Sequence, residues 1–377
     1  MTGKERIATA MDLGVPDRVP FMCQCSIGHL LLQLGISPVE FWNDVYVFSD
    51  GLIRIREQYD FDGVLVSLHG HDPSWRSRIA QVTSGPDGEE VLWKSGDRRV
   101  FPPDDLPRHT PAHPPPRPSL MSLERFPLSH RIEYIPVSQG LRFSLDQDHL
   151  FDVFYIVGSK LGNNFSLHGE VTSPFDYYLD LVGVEAGLMG LLESPDAARQ
   201  VLTVFAHAVA DLAGKMCSTG VDAIKISSPY AGAGFISRQQ YRDFVLPFER
   251  IVASAIERRH VRAYLHTCGA VSDRLEMMME SMVSGIECLD PPPLGNVELD
   301  DAKQRMQGKG FIKGNIDPVN LLLSGTEEEV LADAKHRLDV GKEGGGFILS
   351  TACSIAPAVP RENVLLLRDA VDRWGEY

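Results

Sequence analysis

The chain of 377 residues predicts a closed (β/α)₈ TIM-type barrel, an α/β fold in a single domain. Three observations carry that prediction. Short β-branched or apolar runs alternate with longer amphipathic stretches, the pattern of repeated βα units. Several of the short runs are apolar almost throughout, as parallel strands covered on both faces require. The count of such runs is eight, the number that closes a barrel, although an open doubly wound sheet shares the same periodicity.

In order, the predicted strands are Val19–Cys25, Gly63–Leu68, Phe165–Val171, Ala223–Ser227, Arg262–His266, Gly285–Leu289, Gly310–Asn315 and Gly346–Thr351. Helix starts fall between them. Ser37-Pro38-Val39-Glu40 reads as an N-cap, a proline at the first helical position and a capping-box glutamate. Ser194-Pro195-Asp196 repeats the cap and the proline, with an acid suited to the helix dipole. Ser237 with Gln240 opens a helix running towards Arg259, and Thr326 with Glu327, Glu328 and Glu329 opens another.

One segment interrupts the alternation, an insertion at about residues 72–160 between the second and third strands. Ile79–Thr83 and Val91–Lys94 flank Ser84-Gly85-Pro86-Asp87-Gly88, the signature of a β-hairpin. The proline-dense stretch Pro102 to Pro118 is expected to be extended and irregular. The insertion reads as a surface excursion capping part of the barrel, within one domain spanning 1–377.

Composition narrows the class. Hydrophobic residues make up 44 %, enough for a sizeable core, and no apolar run reaches the length of a membrane span. The net charge of −15 argues against nucleic acid as a partner. The first seventeen residues are charged and amphipathic, unlike a signal peptide, and six cysteines are too sparse for a disulfide scaffold. A cytoplasmic enzyme with reduced thiols is the expectation, with a homodimer as the commonest assembly for such a chain.

The sharpest local signal is His266-Thr267-Cys268-Gly269, directly after the fifth predicted strand. Side chains two apart on an extended segment point the same way, so His266 and Cys268 share a face. Cys353 follows the eighth strand in Ser350-Thr351-Ala352-Cys353-Ser354, at the same predicted end of the barrel. One imidazole and two thiols with a fourth position left open is the pattern of a catalytic zinc site. The same residues also suit a packed thiol and a histidine bonded to a neighbouring strand.

The opening Lys4-Glu5-Arg6-Ile7-Ala8-Thr9-Ala10-Met11, with Pro16-Asp17-Arg18-Val19-Pro20, resembles the start of the uroporphyrinogen decarboxylase superfamily. Ile236 to Pro247 and Lys313-Gly314-Asn315-Ile316-Asp317-Pro318 resemble later parts of it. The resemblance covers the chain apart from the proline-rich insertion and implies a (β/α)₈ barrel. It has two chemical branches. Decarboxylases carry an arginine-rich loop after the first strand, whereas here Cys23-Gln24-Cys25-Ser26-Ile27-Gly28-His29 has no arginine, and only Asp72 stands near the second strand's end. The zinc methyltransferases of corrinoid systems share a His-x-Cys…Cys ligand set, which His266, Cys268 and Cys353 match residue by residue. The resemblance therefore implies a zinc-dependent methyltransferase acting on a small O- or S-methyl substrate. Its corrinoid (cobalamin) is supplied by a separate corrinoid protein, because the chain has no Asp-x-His-x-x-Gly signature.

O-demethylation of a methoxylated aromatic is favoured, since the first two strand ends offer histidines and polar groups but no cation for a sulfonate. The alternatives are a methylcorrinoid:thiol methyltransferase, a metal-free decarboxylase around Asp72 and His69, and a non-catalytic zinc-stabilised barrel. Glu170 is a candidate fourth ligand or acid/base, or else a hydrogen-bonded structural glutamate. His69 and His71 are candidates for orienting a substrate oxygen. Asn315 and Asp317 are candidates for steadying His266, although turn chemistry explains Asp317-Pro318 equally well. Cys25, from the Cys23/Cys25 pair, and Asn315 are the candidate cofactor contacts, and Met277-Met278-Met279 reads as core or interface.

Overall fold

The computed structural model describes residues 1–114, 126–127, 129–138 and 140–377. In chain order the strands begin with β1 (Gly63–Val66), β2 (Ile79–Gly85), β3 (Gly88–Trp93), β4 (Arg98–Phe101), β5 (Arg108–Thr110), β6 (Tyr134–Ser138) and β7 (Leu141–Ser144). They continue with β8 (Ser166–Thr172), β9 (Ala223–Ser227), β10 (Arg262–Thr267), β11 (Gly285–Cys288), β12 (Phe311–Ile316) and β13 (Phe347–Thr351). β1 and β8 to β13 form one parallel sheet in sequential order, the arrangement of a barrel wall.

Residues 19–25 supply the eighth stave. The Phe21 carbonyl accepts from Asp62 N at 2.8 Å on one side, and Met22 N donates to Leu349 O at 3.1 Å on the other. Pro20 has no N–H to give, so this stave pairs through isolated bridges instead of a continuous ladder. The remaining seven predicted strands match β1 and β8 to β13 within two residues at either end.

Alternation along the staves builds the interior in layers. The bottom layer is apolar: Met22, Leu65, Ala223, Tyr264, Phe311 and Ile348 pack against Ile7, Ala10 and Met11 of the helix Gly3–Met11. Arg6 fixes that helix to the wall through Asp62 at 2.7 Å, and Arg18 beyond it bonds the same carboxylate at 3.0 Å. One step up, the inward residues are His168, Lys225, Glu287 and Lys313, all buried. Glu170, Ser227 and His266 follow at the top.

Between β1 and β8 lies the insertion. The hairpin predicted around Pro86-Asp87 forms as β2 and β3, and β4 and β5 extend it to an antiparallel sheet of order β2-β3-β4-β5. Its Val91 and Phe101, with Leu141 and Phe143 of the β6–β7 hairpin, belong to the same apolar cluster as the barrel wall. The proline-dense stretch is not irregular throughout, because Arg108–Thr110 pairs with β4; its residues 115–118 lie outside the described residues. The helix Asp152–Leu161 precedes β8 and packs on the helix Val45–Tyr59, so the final residues of the predicted insertion belong to the barrel's outer layer.

Three helix expectations need correction. Ser37 does accept from Glu40 N at 3.4 Å, but the Glu40 side chain pairs with Arg76 at 2.9 Å in place of closing a capping box. Ser194 makes no cap bond. The helix opened by the Ser237–Gln240 capping box stops at Phe244 and restarts as Leu246–Glu257, because Pro247 cannot donate to the preceding turn. By length and composition the helical segment Pro195–Thr219 is apolar enough to cross a membrane; here the helix Pro195–Met216 within it packs its apolar side against Leu246–Glu257 and β8.

Candidate metal centre and adjoining cavity

His266 is the last residue but one of β10, its ring is buried, and its Nε2 lies 3.4 Å from Cys268 Sγ. The Cys268 and Cys353 sulfurs are 3.8 Å apart. All three donor atoms fall within 4.8 Å of one another, one imidazole nitrogen and two sulfurs, a set that suits tetrahedral zinc. Hydrogen bonds from the Cys268 and Cys288 thiols, then His266, hold Cys353 far below the usual thiol range, towards the ligating thiolate.

Two further donors went unread in the sequence. Cys288 and Asp290 lie within 4.8 Å of Cys268 and of each other. Cys288 is the last residue of β11 and Asp290 follows two residues on, where Cys288 (φ 84°) and Leu289 (φ 58°) adopt left-handed backbone that side chains rarely take. Such conformations cost on the order of 1–3 kcal/mol each and persist where the surroundings enforce them. Asp290 Oδ2 accepts from Gly269 N at 2.6 Å, while its Oδ1 is buried with no partner among the described residues. An orphaned carboxylate oxygen beside two thiols fits a centre built to hold a cation.

The group that orients His266 is Glu287, whose Oε2 accepts from Nδ1 at 3.0 Å. That bond fixes the Nδ1 proton and turns Nε2 towards the sulfurs, where it hydrogen-bonds them and would ligate a metal through its lone pair once deprotonated. Burial penalises the Glu287 charge, but Lys313 and Lys225 outweigh it and hold the carboxyl well below its ordinary range. Lys225 Nζ lies 3.0 Å from Glu170 and 3.7 Å from Glu287. The signal for this network was present: Lys225, Glu287 and Lys313 are single charges in the middle of otherwise apolar strands.

Asn315 and Asp317 do not reach His266. Asn315 donates to Leu289 O at 2.8 Å and accepts from Arg337 at 2.9 Å, so it ties β12 to the loop after β11 and to the helix Glu327–Gly341. Asp317 accepts from Val319 N and Asn320 N at 2.8 Å, capping its own turn. Nor do His69 and His71 face the cavity. His69 is buried against Phe151 and Phe154, and His71 sits 4.9 Å from both Phe48 and Phe143. Asp72 pairs with Arg78 at 2.9 Å, and neither it nor His69 lines the cavity at the barrel mouth. Met277 and Met278 are core.

Beside the metal-type cluster a cavity of about 530 Å³ opens at the barrel mouth. Cys25, Gln24, Glu170 and Ser354 line it, the last adjacent to Cys353. Cys23, by contrast, is buried, and burial raises its thiol to about 11. Insertion residues Leu106, Ile135 and Val137 form the opposite wall. No lysine, arginine or histidine occurs among the described lining residues, whereas Asp105, Glu170, Asp176 and Asp180 do. Burial pushes Asp176 up to about 7, and it accepts from Ser173 Oγ at 2.5 Å.

A parallel barrel with thiol and imidazole donors gathered at the C-terminal strand ends defines an enzyme-like scaffold of the TIM-barrel class. The family model described as uroporphyrinogen decarboxylase (URO-D) matches residues 131–374, more than half of the chain, and the chain belongs to that family. The relatives carry two kinds of name. The methylcobamide:CoM methyltransferase MtbA of Methanosarcina acetivorans is 27% identical over 215 residues, 57% of this chain and 60% of that protein. The uroporphyrinogen decarboxylase of Ruthia magnifica is 27% identical over 240 residues, 60% of this chain and 66% of that protein. The chain thus spans about three fifths of the length of the curated relatives it matches first. A solved methyltransferase from Methanosarcina mazei superposes with a TM-score of 0.72 over 99% of both chains at 21% identity, which shows the shared fold.

Proposed function

We propose that the chain is a zinc-dependent methyltransferase moving a methyl group between a small O- or S-methyl substrate and the cobalt of a separate corrinoid protein. A methoxylated aromatic is the favoured methyl donor. The observation that carries this reading is the convergence of His266, Cys268 and Cys353 beside a cavity large enough for such a compound. Relatives named as methylcobamide:CoM methyltransferases support corrinoid-linked methyl transfer.

Zinc held by His266, Cys268 and Cys353 would supply a Lewis acid that stabilises the charge left on an ether oxygen or a thiol sulfur. Glu287 keeps the proton of His266 on Nδ1 and fixes the ring plane. Lys225 and Lys313 keep Glu287 ionised for that task. The insertion residues Leu106, Ile135 and Val137 would shield that side of a bound substrate from water.

Transfer to a thiol-sulfonate is the second reading, favoured by the names of the relatives. The lining speaks for a neutral substrate instead, because no cationic side chain among its described residues is placed to take a sulfonate. The same lack disfavours decarboxylation of a polycarboxylate porphyrinogen. We place the enzyme in the cytoplasm, possessing neither nucleic-acid nor membrane partners, as a homodimer.

Metal analysis tests the reading first. The purified protein should hold about one zinc per chain, with Cys268→Ala and Cys353→Ala losing it while keeping their circular dichroism. The zinc-loaded protein should then convert Co(I) cobalamin to methylcobalamin with a methoxyarene, releasing the phenol. Absence of zinc after reducing, chelator-free purification would overturn the proposal.

A further inference from the structure

The inner wall of the cavity carries a second polar arrangement, outside the metal-type cluster. Lys225 is buried, yet its Nζ meets Gln24 Oε1 at 2.5 Å and Glu170 Oε2 at 3.0 Å. An ammonium has three donors and no acceptor, so only the oxygen of the Gln24 amide can face it. The amide nitrogen of Gln24 therefore points the other way. Gln24 is half-buried and lines the cavity, and among the described residues its Nε2 donates to no protein group. Glu170 lines the same cavity, with one oxygen held by Lys225.

One ammonium thus presents two groups to the cavity, an amide donor and a carboxylate acceptor. Around them the surface is apolar: Leu68 and Leu179 come from the barrel, and Leu106, Ile135 and Val137 from the insertion. We propose that Gln24 and Glu170, positioned by Lys225, form a substrate-binding station for a hydroxyl adjacent to an ether oxygen on an aromatic ring. The Gln24 N–H donates to the ether oxygen, the substrate hydroxyl donates to Glu170, and the ring lies against the insertion wall. An isolated carboxylate or sulfonate is refused, because Glu170 repels it and Lys225 is already enclosed. The choice of an ether as ligand rests on the methyltransferase reading, but binding requires no corrinoid, so the two can fail separately.

Calorimetric titration of the zinc-loaded protein with three compounds tests the station. They are 2-methoxyphenol, 2-ethylphenol, which lacks the ether oxygen, and 1,2-dimethoxybenzene, which lacks the hydroxyl. The wild type should bind 2-methoxyphenol about five- to tenfold more tightly than either analogue, the effect of one hydrogen bond. Gln24→Leu should abolish the preference over 2-ethylphenol and keep the preference over 1,2-dimethoxybenzene. Glu170→Gln should do the reverse; if that variant misfolds because Lys225 loses its partner, Gln24→Leu still decides. Equal affinities in the wild type, no binding of any of the three, or a selectivity untouched by Gln24→Leu would overturn the station. Selective binding without methyl transfer to Co(I) would instead overturn the methyltransferase reading and leave the station standing.

Discussion

The upper ends of β1 and β10 both present histidines, and the two sets of neighbours could hardly differ more. At the end of β10, His266 finds a carboxylate on one ring nitrogen and two thiols near the other. Beyond β1, His69 Nδ1 has only the Leu150 carbonyl at 3.1 Å, its Nε2 has no partner, and neither nitrogen of His71 has one among the described residues. Residue type and position on the barrel are shared. What separates a candidate ligand from a packed ring is the chemistry arriving from other strands: Glu287 comes from β11 and Cys353 follows β13, whereas the insertion and the preceding helix bring Phe143, Phe151 and Phe48 to β1.

The largest expected effect breaks the first of these environments. Glu287 is about 1 % exposed and faces Lys225, Lys313 and His266 together. Glu287→Gln leaves two buried ammoniums with Glu170 as their remaining anion among the described residues and replaces the charged acceptor for Nδ1 by at best a neutral one. Unfolding in urea should show a loss of about 3–5 kcal/mol, the usual effect of removing one partner from a buried ion pair. Zinc affinity, measured by competition with a chromophoric chelator, should fall about 10- to 100-fold. Wild-type stability together with wild-type zinc affinity would show that this network neither holds the core nor orients the ligand.

A smaller effect of opposite sign is expected at the other strand end. Burial lowers His69 to about 4 and His71 to about 3, so both are neutral in the folded protein near neutral pH. Replacing orphaned buried nitrogens by carbon removes a desolvation cost, and His71→Phe should stabilise by about 1 kcal/mol with zinc content unchanged. The pH dependence has a definite sign. Below pH 6.5 the unfolded imidazoles take up protons that the folded ones refuse, so stability falls with falling pH until the folded values near 4 and 3 are reached. Each group contributes up to about 1.4 kcal/mol per pH unit within its window, and none above it. His71→Phe should therefore have a shallower acid limb than the wild type between pH 6 and pH 4, by up to about 1.4 kcal/mol per pH unit, the contribution of one group. Superimposable limbs would mean that His71 is solvated in solution.

Legibility followed the range of the interactions. The barrel was readable because each stave carries its own alternation and apolar run, and the hairpin because Gly85-Pro86-Asp87-Gly88 writes its turn locally. The His266/Cys268 pair was readable for the same reason, two side chains on one strand end. Glu287, Lys225, Cys288 and Asp290 were not, since their meaning lies in contacts between strands that no local spacing encodes. A lone charge inside an apolar strand was the available hint. The opening residues that resemble the family turn out to fasten the barrel floor: Arg6 meets Asp17 at 2.6 Å and Asp62 at 2.7 Å, far below the cavity. Resemblance there reported architecture and carried no information about chemistry.

The smallest predicted difference applies the same comparison to two serines that read alike in the sequence. Ser237 and Ser194 both stand before a helix, yet only Ser237 caps one. Its hydroxyl accepts from Gln240 N at 3.2 Å, and the Gln240 side chain accepts from Ser237 N at 2.9 Å. Ser194 is already the end of the helix Val184–Glu193, where its N–H donates to Gly190 O at 3.0 Å. Closing one helix sets its backbone at φ −144° and ψ 57°, away from the extended conformation from which a serine reaches back over the next first turn. Ser237→Ala should accordingly cost about 1 kcal/mol in urea unfolding, while Ser194→Ala should stay within about 0.5 kcal/mol of wild type. Equal costs would mean that Ser194 reaches its helix in solution, and that the tight Glu193–Pro195 junction is looser than its backbone geometry requires.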